Sequence, residues 1–156
     1  KKLKNKFLYL FFIFIPLEII LYLIDKLGFI KLGLKFAYFK KNNIDNELIE
    51  IVSKPVSRNN AAKSLRAMCI GMTTRDDKLK ASYLLRKLSI SKKVPFLLIC
   101  GEKDNFIPLF LGEKIANFHR WVKLKKVSDS GHCVHDEDPS IFNRVSYEWI
   151  RDLKLF

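Results

Sequence analysis

Apolar and polar positions along the chain fall into three regimes. From Phe7 to Ile24 nearly every residue is apolar, with Pro16 and Glu18 as the interruptions. Proline removes an amide donor and breaks a helical ladder, so this stretch predicts a pair of apolar helices. Residues 44–88 then carry apolar side chains at helical spacing between end signals. Ile44-Asp45 ahead of Leu48 and Ile49 predicts an N-cap with a hydrophobic staple, and Pro55 ends that helix near Ser53. Asn60 predicts the cap of a second helix carrying Ala61, Leu65, Met68 and Cys69, with Gly71 just past its end. Thr74-Arg75-Asp76-Asp77 predicts the capping box of a third, through Leu79, Tyr83 and Leu84.

The third regime begins at Val94. Phe96-Leu97-Leu98-Ile99-Cys100 is an unbroken apolar run, the pattern of a strand buried on both faces of a parallel sheet. Pro95 falls at its start, where a missing N–H is tolerated. Pro108 pre-sets the first turn of a helix that should end near Phe118. Val122 to Val127 predicts a second strand, in which Lys123 and Lys125 alternate with Val122 and Leu124 as an edge allows. Asp138-Pro139 caps a last helix with Ile141, Phe142, Val145, Trp149 and Leu153 on one stripe. The expected class is α/β, with a helical region over residues 1–90 and a sheet-bearing part over residues 91–156.

Charge separates the same two parts. The 156 residues carry a net charge of +13, and most of the excess lies in residues 1–90, which hold 18 Lys+Arg against 7 Asp+Glu. No basic block accompanies a nucleic-acid-binding motif, so solvated lysine-rich faces are expected and nucleic acid is not an expected partner. Lys1, Lys2, Lys4 and Lys6 ahead of the apolar stretch also form the basic flank of a membrane anchor. Pro16 and Glu18 near its middle disfavour insertion, and Tyr22-Leu23-Ile24-Asp25 lacks the small residues of a signal cleavage site. A pair of apolar helices is therefore expected, with an anchor over residues 7–24 as the alternative. Cys69, Cys100 and Cys133 form no C-x-x-C pair and leave an odd thiol, which favours a reducing, cytoplasmic setting.

Asp104, in Gly101-Glu102-Lys103-Asp104, follows the first strand, and His132, in Ser130-Gly131-His132, follows the second. Chemistry gathers at the carboxyl ends of parallel strands. A hydroxyl nucleophile needs a base within reach, and the base needs a third group that fixes its tautomer and stabilises its protonated form. Asp104 and His132 are the candidate catalytic residues for those two roles. Gly131 is expected to permit the backbone turn that aims the imidazole. The run His132-Cys133-Val134-His135-Asp136-Glu137-Asp138 also holds metal-binding donor types, but the sequence has no second cluster at zinc-like spacing, and no metal is expected. Its acids are expected in the first turn of the last helix, where negative charge suits the dipole. His119 and His135 are expected at the surface, and Asn105, Phe106 and Ile107 either at a pocket mouth or as helix entry.

The order strand, G-x-x-D, helix, strand, G-H, helix resembles the C-terminal half of the α/β-hydrolase family over residues 91–156. The resemblance implies the chain order nucleophile, acid, histidine, a helical lid, and a reaction without cofactor. Asp45-Asn46-Glu47-Leu48-Ile49 followed by Asn60-Ala61-Ala62 resembles the haloalkane dehalogenase or epoxide hydrolase-like branch of photosynthetic organisms. The family's G-x-S-x-G elbow is absent, since no two of the six glycines stand four residues apart. The chain, which opens on Lys1, is expected to be a piece of a hydrolase: a partial α/β-hydrolase fold with a lid and the last two parallel strands. The expected substrate is a hydrophobic small molecule with an ester-like or related bond, attacked by a Ser or Asp nucleophile outside these residues. A catalytically inactive remnant or binding module is the alternative. Oligomeric state leaves no signal.

Overall fold

The computed structural model describes residues 2–91 and 94–153, without the side chains of residues 2–6, 25 and 91. The basic cluster Lys1, Lys2, Lys4 and Lys6 therefore lies outside the described residues and side chains. The fold is mostly helical with a two-stranded parallel sheet, an α/β architecture in the coarse sense. It divides into two compact units, Lys1–Leu32 with Asn46–Leu84, and Gly33–Asp45 with Leu85–Phe156.

The first unit contains α1 (Lys2–Phe14), α2 (Leu17–Lys26), the start of α3 (Phe29–Ala37), α4 (Asn46–Ser53), α5 (Ala61–Thr74) and the start of α6 (Ala81–Ser91). The apolar stretch breaks ahead of Pro16, and Phe7–Phe14 and Leu17–Ile24 are bent by 67°. No single helix among the described residues is long and apolar enough to cross a membrane; these two pass only as a bent pair. A helix that stops leaves its last carbonyls without amide partners. Here Arg66 of α5 supplies them, its Nη1 donating to the carbonyls of Phe12 (2.7 Å), Ile13 (2.8 Å) and Ile15 (3.0 Å). Its Nη2 donates to both carboxylate oxygens of Glu18, at 3.2 and 3.1 Å. A backbone hydrogen bond at the start of α2 and this guanidinium hold the Glu18 carboxyl below the usual range. The charge in the apolar stretch thus has a partner from a helix distant in sequence.

Helix α4 ends at Ser53, as Pro55 predicts. Two other boundaries differ from expectation. Helix α5 continues through Gly71 to Thr74, because an interior glycine disfavours a helix by only about 1 kcal/mol and its neighbours carry the helix on. The Thr74–Asp77 capping box does not open the third helix: Thr74 ends α5, and Asp76 Oδ1 accepts from the Lys78 N–H at 2.9 Å at a 3-10 turn, Asp77–Leu79, so that α6 begins at Ala81.

In the second unit β1 (Phe96–Gly101) and β2 (Val122–Val127) run parallel, in register from Phe96 opposite Val122 to Gly101 opposite Val127. Between them α7 (Leu109–Phe118) crosses one face, where Gly112 lies close to Leu98, Cys100 and Leu124. The strand expected to be buried on both faces is only half-buried from Phe96 to Cys100, since β2 is its one sheet neighbour among the described residues. In β2 the two valines at the ends are buried and Lys123 and Lys125 are exposed, as an edge allows. His119, expected at the surface, is buried. It ends α7 by donating its N–H to Ile115, and its own carbonyl accepts from Val122 at the entry to β2, both at 2.8 Å. A four-residue helix, α8 (Val134–Glu137), and α9 (Pro139–Asp152) complete the unit.

Candidate active site

The acid turn and the histidine turn are joined through their backbones. The Glu102 N–H donates to the Val127 carbonyl and the Lys103 N–H to the Ser130 carbonyl, both at 2.9 Å. A Cβ on Gly101 would collide with the carbonyls of Gly131 and Ser130. Glycine at 101 is therefore what lets the two turns touch.

Asp104 faces two ways. Its Oδ1 accepts from the N–H groups of Phe106 (2.8 Å) and Ile107 (2.9 Å), which fixes the carboxylate and starts the approach to α7. Its Oδ2 lies 2.9 Å from His132 Nδ1. The Asp104 side chain is nearly buried, 9% exposed, whereas that of His132 is 42% exposed. Burial alone would push the Asp104 carboxyl up; the Ile107 N–H, His132 and the Phe106 N–H outweigh it and hold it below the usual carboxylate range. An ionised carboxylate only accepts, so the ring nitrogen facing it carries the proton and Nε2 is the nitrogen left to act as a base. Phe106 meets the imidazole edge-on, with centroids 5.3 Å apart, and packs in the same way on Phe36 at 5.1 Å. The Asn105 side chain donates to the Phe36 carbonyl at 3.0 Å. Residues 106 and 107 thus serve helix entry through their backbone amides, one of the two uses weighed from sequence, and the Phe106 ring packs on the histidine.

A second group of residues came from a part of the chain where no site was sought. The segment 37–43 lies against the histidine turn. The His132 N–H donates to the Ala37 carbonyl at 2.8 Å. The buried Tyr38 hydroxyl donates to Asp136, and the Lys40 ammonium pairs with Asp138. Asn43 donates to the carbonyls of Asp136 (3.3 Å) and Glu137 (3.2 Å). Glu137, only 4% exposed, takes the Gly131 N–H on Oε1 at 2.7 Å and those of Phe39 (2.7 Å) and Lys40 (2.9 Å) on Oε2.

These contacts change the account of the acidic run. Asp136 and Glu137 belong to α8, and Asp138, at the N-cap position of α9, makes no capping bond with its side chain; all three turn to residues 38–40. Gly131 has no left-handed φ; the positive value nearby is at Asp129, 53°. Its requirement is space, because a Cβ there would strike Ala37 O, Phe39 N and Glu137 Oε1. Tyr38 and Glu137 were missed because their partners, Asp136 for the one and Phe39 and Lys40 for the other, lie about a hundred residues away. The available sign was three successive carboxylates, more than one helix N-terminus uses.

Neither neighbouring thiol is poised as a nucleophile. Burial raises the Cys133 thiol, and Asp136, Glu137 and Asp104 add to the effect against a hydrogen bond with Tyr38; burial and Asp104 raise that of Cys100. His132 is engaged with Asp104, and Asp136, Glu137 and Asp138 with residues 38–40; among the described residues no three His, Cys, Asp or Glu side chains are grouped to hold a metal ion. No family model matches the chain, and no curated protein matches it.

Proposed function

We propose that this chain supplies the acid, Asp104, and the base, His132, of an α/β-hydrolase-type triad that cleaves an ester-like or related bond in a hydrophobic small molecule. The observation that carries the reading is the 2.9 Å contact of Asp104 Oδ2 with His132 Nδ1, beyond the carboxyl ends of two adjacent parallel strands, where such chemistry gathers. His132 Nε2 takes the proton of a serine hydroxyl as it attacks the substrate and returns it to the leaving group, while Asp104 stabilises the imidazolium. With an aspartate nucleophile, Nε2 activates the water that hydrolyses the covalent ester. Either nucleophile lies outside these residues. The half-buried state of an apolar strand such as β1 fits further sheet neighbours. The helices of residues 1–90 fit the lid of such an enzyme, in the dehalogenase or epoxide hydrolase-like branch, and the free cysteines fit a cytoplasmic setting.

The test is to express the chain fused to the coding sequence that precedes it and to measure ester turnover and labelling by a nucleophile-directed probe, a fluorophosphonate for serine. In a folded fusion, Asp104→Asn should lower turnover by about four orders of magnitude, by setting the wrong tautomer. His132→Ala should abolish it. The lack of a nucleophile elbow favours a second reading, an inactive remnant or binding module. Turnover and labelling kept at the wild-type level in both variants would make Asp104 and His132 structural and remove the first reading; a folded wild-type fusion that neither turns over nor labels would leave the second.

A further inference from the structure

We infer that Glu137 is the positioning residue of His132, a role that rests on the acid–base reading of Asp104 and His132. A carboxylate taken out of water is strongly disfavoured unless its lone pairs are used. At 4% exposure Glu137 meets that demand with three backbone amides, divided between two segments. One oxygen holds Gly131, the residue before the histidine, and the other holds Phe39 and Lys40. The His132 N–H in turn donates to the Ala37 carbonyl, in the segment that Glu137 grips. The histidine backbone is therefore fixed from both sides, through its neighbour and through its own amide. Asp104, by contrast, meets His132 at the imidazole and sets its tautomer. Glycine at 131 lets the carboxylate come this close. Restraint of the Cα position and of the ring nitrogen are separate requirements for a base that must reach a reacting atom within a few tenths of an ångström. Glu137 supplies the first and Asp104 the second.

The experiment reads the imidazole directly, in the chain as it stands, so no nucleophile is needed. Ring-nitrogen shifts of His132 are recorded by NMR for wild type, Glu137→Gln, Glu137→Asp and Asp104→Asn, with amide exchange at Gly131, Phe39 and Lys40. The glutamine variant replaces one acceptor oxygen by a donor. The aspartate variant keeps the charge but is one methylene too short to serve both segments. In wild type the two ring nitrogens should be well separated in shift, with the proton on Nδ1. In Glu137→Gln the separation should collapse toward that of free imidazole while the helical signal of the protein persists. Glu137→Asp should fall between, and it decides the matter if the glutamine variant does not fold. A folded Glu137→Asp or Glu137→Gln that loses amide protection but keeps the wild-type imidazole signature would make Glu137 a purely structural tie and overturn the proposal, leaving the Asp104–His132 pair intact. Wild-type shifts equal to those of Asp104→Asn would instead show that the pair does not form in solution, and both statements would fall.

Discussion

At the scale of the residue, the site rests on two carboxylates, Asp104 and Glu137, and two glycines, Gly101 and Gly131. The Asp104 carboxyl is held below its ordinary range, and a group depressed in the folded state contributes stability above its unfolded value, near 3.8, and loses it as pH falls through the folded value. The stability advantage of wild type over Asp104→Asn should therefore be constant at mildly acid pH and shrink below about pH 4. Urea midpoints across that range measure it, and an advantage that persists at the lowest pH would contradict the assignment. Gly101 and Ser130 make a contrasting pair. Gly101→Ala forces a Cβ into two backbone carbonyls that cannot move aside, and should destabilise by about 3 kcal/mol. Ser130 is fully buried with a hydroxyl that has no partner among the described residues. Ser130→Ala removes an unsatisfied group without opening much space, and urea unfolding should place it within about 0.5 kcal/mol of wild type or above it.

At the scale of the element, the break between α1 and α2 is visible in the sequence through Pro16, but the group that tolerates it is not. Arg66 donates to three carbonyls at the end of α1, a planar fork that a lysine cannot copy. Arg66→Ala should destabilise the first unit by about 2 kcal/mol through those carbonyl bonds. It should also speed amide exchange on both sides of Pro16, with Arg66→Lys recovering only a minor part. Wild-type exchange there in Arg66→Ala would mean that α5 holds the pair by apolar packing alone. The strands and α7 were legible to within a residue because proline, glycine and an unbroken apolar run each act locally. The ends of α5 and α6 were not, because Gly71 and Asp76 have two local uses and packing chose between them.

At the scale of the whole molecule, exposed apolar side chains coexist with a large positive charge. Phe7, Phe14, Ile90 and Phe118 are 70 to 80% exposed, and the net charge is +13. Self-repulsion opposes association at low ionic strength, and at about 0.15 M salt the screening length falls to roughly 8 Å. Light scattering and sedimentation should show association that grows with salt, and a monomer indifferent to salt would show that these side chains do not form an adhesive surface. The sequence by itself determined the α/β class in its coarse form, the two strands, and the placement of Asp104 and His132 after the strand ends, because strand ends and turn residues are written in neighbouring positions. Tertiary structure alone decided that Ala37 to Asn43 join the histidine turn, that Glu137 binds three amides, and that Gly131 is needed for space. Those facts depend on which distant segments come within hydrogen-bonding distance, and a pairing across about a hundred residues leaves no periodicity for a sequence to display.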